Sequence, residues 1–185
     1  MGGIVQLGFY FDQQRCTGCY TCVVACKQWN GVPPGPASWR RVSTMEEGRF
    51  PQVWVAHMSL SCCHCVKPAC IPACPTRAIS KREEDGIVLV DQDLCITGCR
   101  SCLNACPYDA PQFRDGDSKM EKCDFCLDRL EAGRKPLCVA SCPLRALDAG
   151  PMDDLGAAYG EVRQVPGFVD HTLTYPAIVF RPRAR

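Results

Sequence analysis

An α+β fold of few regular elements and long loops, built as two tandem modules, is the fold class that three features of this sequence predict. Sixteen of its seventeen cysteines fall into four groups of four, and every group ends in C-x3-C. Three of the four groups are closed by a proline directly after the last cysteine. The segments that begin there rhyme: "CPTRAIS", "CPYDAPQF" and "CPLRALD". Each reads as the end of a short helix, a proline-stopped turn and then an extended segment. Proline ends the helix because it lacks an N–H and disfavours the helical conformation in the residue before it. Self-similarity of this kind decides the architecture before any single element does.

Along the chain, group one is Cys16, Cys19, Cys22 and Cys26, spaced C-x2-C-x2-C-x3-C, with Lys27 where the other groups have proline. "GVPPGPASWRR", residues 31–41, is rich in Pro and Gly and reads as a loop. Group two is Cys62, Cys65, Cys70 and Cys74, spaced C-x2-C-x4-C-x3-C and followed by Pro75. "KREEDG", residues 81–86, then reads as the polar turn of a hairpin leading into "IVLVDQD". Group three is Cys95, Cys99, Cys102 and Cys106, closed by Pro107, and its first gap, in "CITGC", is one residue longer than in group one. Group four is Cys123, Cys126, Cys138 and Cys142, spaced C-x2-C-x11-C-x3-C and closed by Pro143. "PMDDLGAAYGEV", with Pro151 first and two acids in the first turn, reads as a short surface helix. The final "TLTYPAIVFRPRAR" has a strand-like centre and is expected to pack along a partner.

Composition narrows the chemistry. The net charge is +1 with acids and bases interspersed, unlike the one-sided basic face of a nucleic-acid binder. The longest apolar runs, such as "IVLV" at 87–90, are too short to span a bilayer. "MGGIVQLGFYFDQQR" lacks a basic segment followed by an apolar core, so no secretory signal is read. The twin arginine Arg40-Arg41 lies too deep in the chain to be an export signal. The expected location is cytoplasmic, or membrane-associated or exported through a partner. The odd cysteine count and spacings of only a few residues favour wrapping a metal over disulfide bridges.

Two-residue gaps let a looping backbone aim three sulfurs at one cubane iron–sulfur core, and the x3 gap, one helical turn, sends the fourth sulfur to a second core. That is the bacterial-ferredoxin device. Zinc is the competing metal: group four alone, two knuckles separated by a loop, has the form of a four-cysteine zinc site. The tight spacing in groups one to three does not. The spacing C-x3-C-x2-C at Cys95, Cys99 and Cys102 also occurs in radical S-adenosylmethionine enzymes, which would need a longer, barrel-forming chain. No nucleotide-binding glycine pattern and no catalytic triad is visible, so the chain reads as non-catalytic.

The stretches "FDQQRCTGCYTCVVACK", "SCCHCVKPACIPACPTRAI", "ACPYDAPQF", "KMEKCDFCLDRLEAGRKPLCVASCPLRALDAGP" and "PAIVFRP" resemble the four-cluster iron–sulfur subunits of molybdenum and tungsten oxidoreductases, in particular those of the dimethyl sulfoxide reductase type. The resemblance runs over about residues 8–183. It implies four [4Fe–4S] clusters in a line. Cys16, Cys19, Cys22 and Cys142 would hold the first, and Cys26, Cys123, Cys126 and Cys138 the second. Cys62, Cys65, Cys70 and Cys106 would hold the third, and Cys74, Cys95, Cys99 and Cys102 the fourth. Some relatives carry tryptophan or another residue where Cys102 stands and hold a three-iron cluster there. Cys102 itself favours four irons. Residues 1–56 with 107–160 would form one ferredoxin-like module, 57–106 the other, and 161–185 an extended tail.

The function so implied is electron transfer between a large pterin-containing catalytic subunit, bearing molybdenum or tungsten, and a second redox partner such as a membrane-anchor or flavin subunit. The alternative is a polyferredoxin subunit of a tungsten aldehyde oxidoreductase, linking it to a flavin subunit or to further copies of itself. Cys63, beside Cys62, is expected to be a small buried filler and not a ligand. His64 is expected to pack in a second layer or to donate to sulfide. Trp29, Trp39 and Trp54 are expected to cover a small core. In "CITGC", Cys95 is expected to remain a ligand, with Gly98 supplying the backbone freedom for the wider loop.

Overall fold

Strand β1 (Leu7–Asp12) is buried at every residue, which requires cover on both faces. A computed structural model, which describes residues 5–114 and 119–185, supplies it. Residues 1–4, the start of the segment read for a leader, lie outside the described residues. β1 is the centre of a three-stranded sheet, antiparallel to β6 (Leu147–Pro151) and parallel to β7 (Ile178–Arg181). Phe9 and Phe11 face the main core, while Tyr10 packs with Met152, Leu155, Ala177 and Val179 under helix α5 (Met152–Tyr159). Gly8 is obligatory here, because a Cβ would stand 2.1 Å from Met152 Sδ and 2.3 Å from the Ala177 carbonyl oxygen.

The centre of the C-terminal tail packs within the chain: Ile178, Val179 and Phe180 are buried against β1. Beyond it, the Ala184 carbonyl accepts from Trp54 Nε1 at 2.9 Å and Arg185 pairs with Glu47 at 3.2 Å. The apolar centre of the tail was visible in the sequence, but its mate lies at the opposite end of the chain.

Helix α1 (Thr21–Trp29) carries Cys22 and Cys26 one turn apart. The 31–41 segment is irregular as far as Arg40, and then a hairpin that local pattern did not announce rises from it, β2 (Arg41–Arg49) with β3 (Gln52–Leu60). Its base is buried through Ala56 and Met58, and its tip exposes Phe50. The short pair β4 (Ile79–Lys81) and β5 (Val88–Val90) flanks the predicted polar turn. Three short helices, α2 (Ser101–Ala105), α3 (Leu127–Glu131) and α4 (Leu137–Ala140), and a 3-10 turn at His171–Leu173 complete the described elements. Among the described residues no helix is long and apolar enough to cross a membrane.

Away from the Tyr10 cluster, the core is built with cysteine. One continuous cluster joins Phe9, Phe11 and Phe180 to Cys22, Cys62, Cys65, Cys123 and Cys138, and so spans both expected modules. A second gathers Ile79, Val88 and Cys102 around Met120, with Cys70, Cys74 and Cys95 packed against it. Met120, outside the 57–106 segment, thus helps to close that segment's core.

Candidate iron–sulfur sites

Three cavities are walled by four or five cysteines each. Cys16, Cys19, Cys22 and Cys142 line the first, a space of about 350 Å³, partly open to solvent, between Phe11 and Leu147. Cys62, Cys65, Cys70 and Cys106 line another of about 430 Å³, with Tyr108, Lys122 and Thr174 in its wall. Cys74, Cys95, Cys99 and Cys102 line a third of about 310 Å³ beside Ile79 and Met120. The remaining four, Cys26, Cys123, Cys126 and Cys138, are all buried, and their sulfurs are close enough to oppose one another's ionisation. In the three cavities the sulfurs surround a space and not a point. Among the described residues no three His, Cys, Asp or Glu close around a single ion. A tetrahedral zinc, with Zn–S of about 2.3 Å, would draw its ligands together and leave no such space.

The rhyme after each C-P has a structural cause. Three residues beyond the cysteine, Arg77, Asp109 and Arg145 all sit in the left-handed region, with φ of 57°, 49° and 50°. Their amides bond back to the carbonyls of Cys74, Cys106 and Cys142 at 3.2–3.3 Å. That turn points the next amide at sulfur: Ala110 N–H donates to Cys106 Sγ at 3.5 Å and Ala146 N–H to Cys142 Sγ at 3.3 Å. The residue there is alanine each time, Ala78, Ala110 and Ala146, and each is buried, leaving room for little more than a methyl group. Group one has no proline, and its helix simply continues to Trp29.

A second local repeat, not read from the sequence, is a hydroxyl two residues after a cysteine. Cys19 Sγ lies 3.4 Å from Thr21 Oγ1, Cys74 Sγ 3.7 Å from Thr76 Oγ1 and Cys99 Sγ 3.5 Å from Ser101 Oγ. At Cys19 and Cys99 those hydroxyls draw the thiol pKa down. At Cys74 burial works the other way, and the Thr76 hydroxyl with the following amides outweighs it. Elsewhere Phe125 N–H donates to Cys123 Sγ, Met120 N–H to Cys95 Sγ and Thr174 Oγ1 to Cys65 Sγ, at 3.3–3.5 Å. The donors suit thiolate sulfur, the form a metal requires.

Burial has the opposite effect deeper inside, pushing the thiols of Cys26, Cys65 and Cys70 up to about 12 and Cys126 up to about 11. Thiols gathered in such places keep their protons unless a metal's charge replaces them, so loading would release protons. A further sign of fit is Arg40 Nε, a buried donor with no acceptor in the protein. The donor set, the enclosed spaces and this orphaned donor all suit an anionic iron–sulfur core.

Cys63 is buried, lies in the wall of the 430 Å³ cavity and directs its Sγ to the Ser61 carbonyl at 3.6 Å. His64 is fully buried with φ of 42°, and its Nδ1 accepts from Val88 N–H at 3.0 Å. Burial, and then the cations Lys122, Lys81 and Arg40, hold its pKa well below the ordinary range, so it is neutral and Nε2 carries the proton. The three tryptophans spend their indole N–H on Asp128, Glu121 and the Ala184 carbonyl. Arg40, in the sequence only half of a twin arginine, and Lys122 are both buried among the cysteines, and nothing in spacing marks a lone cation as interior.

Helices connect the sets. Cys22 and Cys26 share α1, and α4 with its first following turn carries Cys138 and Cys142, so the first set adjoins the buried one. Cys102 with Cys106, at the end of α2, and Cys70 with Cys74, across the turn at 69–73, tie the other two sets. Cys62 and Cys123 bridge the halves, close enough for one thiolate to oppose the other. Cys19 at one extreme is exposed and Cys99 at the other is half-buried.

A fold of few elements, cored by cysteines arranged in fours, defines a ferredoxin-like 4Fe–4S protein. The family model described as "4Fe-4S dicluster domain" matches residues 53–152, and "4Fe-4S binding domain" matches residues 7–28. The sequence is 46% identical over 187 residues to a chain of the anaerobic dimethyl sulfoxide reductase of Escherichia coli (strain K12), covering 97% of this protein and 90% of that one. It is 40% identical over 172 residues to a sulfite dehydrogenase subunit of Allochromatium vinosum, covering 82% and 71%. It is 37% identical over 166 residues to Protein NrfC of Escherichia coli (strain K12), covering 89% and 74%. The protein belongs to this family, the iron–sulfur electron-transfer subunits of dimethyl sulfoxide reductase-like complexes.

Proposed function

We propose that the chain carries four [4Fe–4S] clusters as a wire between a large molybdenum- or tungsten-pterin catalytic subunit and a second redox partner, and is not itself catalytic. The observation that carries this reading is that three separate cavities are each walled by at least four cysteines, with a further set of four buried next to the first. Cys16, Cys19, Cys22 and Cys142 hold the first cluster, and Cys26, Cys123, Cys126 and Cys138 the second. Cys62, Cys65, Cys70 and Cys106 hold the third, and Cys74, Cys95, Cys99 and Cys102 the fourth, with Cys63 outside the ligand sets. Bound, each cluster exchanges one electron with little rearrangement.

The protein's part is to fix, insulate and expose. The C-x3-C turns hold neighbouring sets one helical turn apart, and Phe9, Phe11, Phe125 and Met120 keep water from the interior. Amide and hydroxyl donors fix the sulfurs and offset their charge. Cys19 at one extreme is exposed, and apolar side chains stand at both extremes for partners to cover: Tyr20, Val24 and Leu144 near Cys19, Leu94 and Ile96 near Cys99.

Iron and acid-labile sulfide in the purified chain are expected at about sixteen of each. About twelve would remove one ligand set from the scheme, and zinc without sulfide would sink it. A pterin-bearing large subunit is expected to copurify.

A further inference from the structure

Arg40 is the largest fully buried side chain among the described residues. Its Nη1 donates to Ser59 Oγ at 3.2 Å, its Nη2 donates to Ser61 Oγ at 2.9 Å, and its guanidinium lies 4.8 Å from the centre of the Phe9 ring. Among the described residues no carboxylate pairs with it. The groups whose charge it feels most are Cys138, Cys123, Cys22 and Cys26, three from the second ligand set and one from the first. A buried, uncompensated guanidinium is very costly, so its partner must be the anionic cluster. Arg129, another buried cation, lies instead over Trp29.

Reducing a cluster adds negative charge, and removal from water disfavours that form. Every ligand of the second set is buried, so in an otherwise neutral interior this cluster would be the hardest to reduce and would block the wire. We propose that Arg40 sets the reduction potential of the second cluster, and less strongly those of the first and third, by placing a fixed positive charge beside it. One electron leaves an adjacent cluster, which is oxidised, and the second cluster is reduced by the same electron with Arg40 balancing the added charge. Arg40 acts as a positioning residue for charge, held in place by Ser59 and Ser61. This inference rests on the ligand sets proposed above.

The test is redox titration of the intact complex, followed by electron paramagnetic resonance, for wild type, Arg40→Gln and Arg40→Lys. Arg40→Gln is expected to lower the second cluster's reduction equilibrium constant about tenfold, which is about 59 mV for one electron. The first and third clusters should fall by less, and the fourth should not move. Arg40→Lys keeps the charge and should stay within about threefold of wild type. Unchanged potentials in Arg40→Gln, an equal fall in all four clusters, or a fall as large in Arg40→Lys overturns the proposal. Loss of the second cluster from Arg40→Gln, counted as iron, assigns Arg40 to assembly and overturns it as well. If wild type itself lacks that cluster's iron, the ligand assignment fails and takes this inference with it, and the iron count tells the two failures apart.

Discussion

Thr21, Thr76 and Ser101 each bring a hydroxyl to the sulfur two residues earlier, and in that position a hydroxyl can stabilise a thiolate without changing any ligand. Thr21→Val keeps the volume and removes the donor. Loss of one hydrogen bond to a charged sulfur should lower the first cluster's reduction equilibrium constant about three- to tenfold, with iron content unchanged, as read by potentiometric titration. The cysteine groups were legible because their spacing repeats. Their helpers were less so: Arg40 read as half of a twin arginine, and only its burial beside four thiols gives it a role. Gly98 was legible for the opposite reason. A loop widened by one residue needs a backbone that L side chains resist, and Gly98 stands at φ 79°.

Elements were legible where they obey local rules. The acids of α5, the polar turn between β4 and β5 and the C-P stops all announce themselves within a few residues. The β2–β3 hairpin did not, because only its base is buried and its outer half alternates nothing apolar with nothing polar. The three-stranded sheet was hidden by distance, since β1 draws both neighbours from the last third of the chain. That sheet can be probed at two places. Gly8→Ala would drive a methyl into Met152 and the Ala177 carbonyl, and should destabilise by about 1–3 kcal/mol, seen as a lower unfolding midpoint. Asp148 on β6 accepts from Lys135, from Tyr159 at 2.8 Å and from the Ala149 amide at 2.8 Å. Burial raises its pKa, and these partners outweigh burial and bring the pKa below 3.8. Its contribution is therefore present above pH 3.8 and is lost as pH falls further. Asp148→Asn should flatten that part of the acid-unfolding curve and leave the neutral arm of the curve lower by about 1 kcal/mol.

At the scale of the molecule, two ferredoxin-like units are not two independent bodies. The continuous core, the bridge from Cys62 to Cys123 and the packing of Met120 into the 57–106 region bind them into one path. In the proposed scheme partners would meet the path at the exposed Cys19 and the half-buried Cys99, while every ligand of the second set is buried. The nesting of the segments also has a temporal meaning. In the proposed scheme groups two and three lie between groups one and four, so the inner pair of clusters has all its ligands by Cys106. The outer pair waits for Cys138 and Cys142, and β1 waits longer still for β6 and β7. Strand β1 is therefore among the last of the described strands to find its neighbours. In the proposed scheme cluster loading runs from the middle of the chain outward, and four early cysteines must stay reduced and unclaimed until Cys138 and Cys142 have been made.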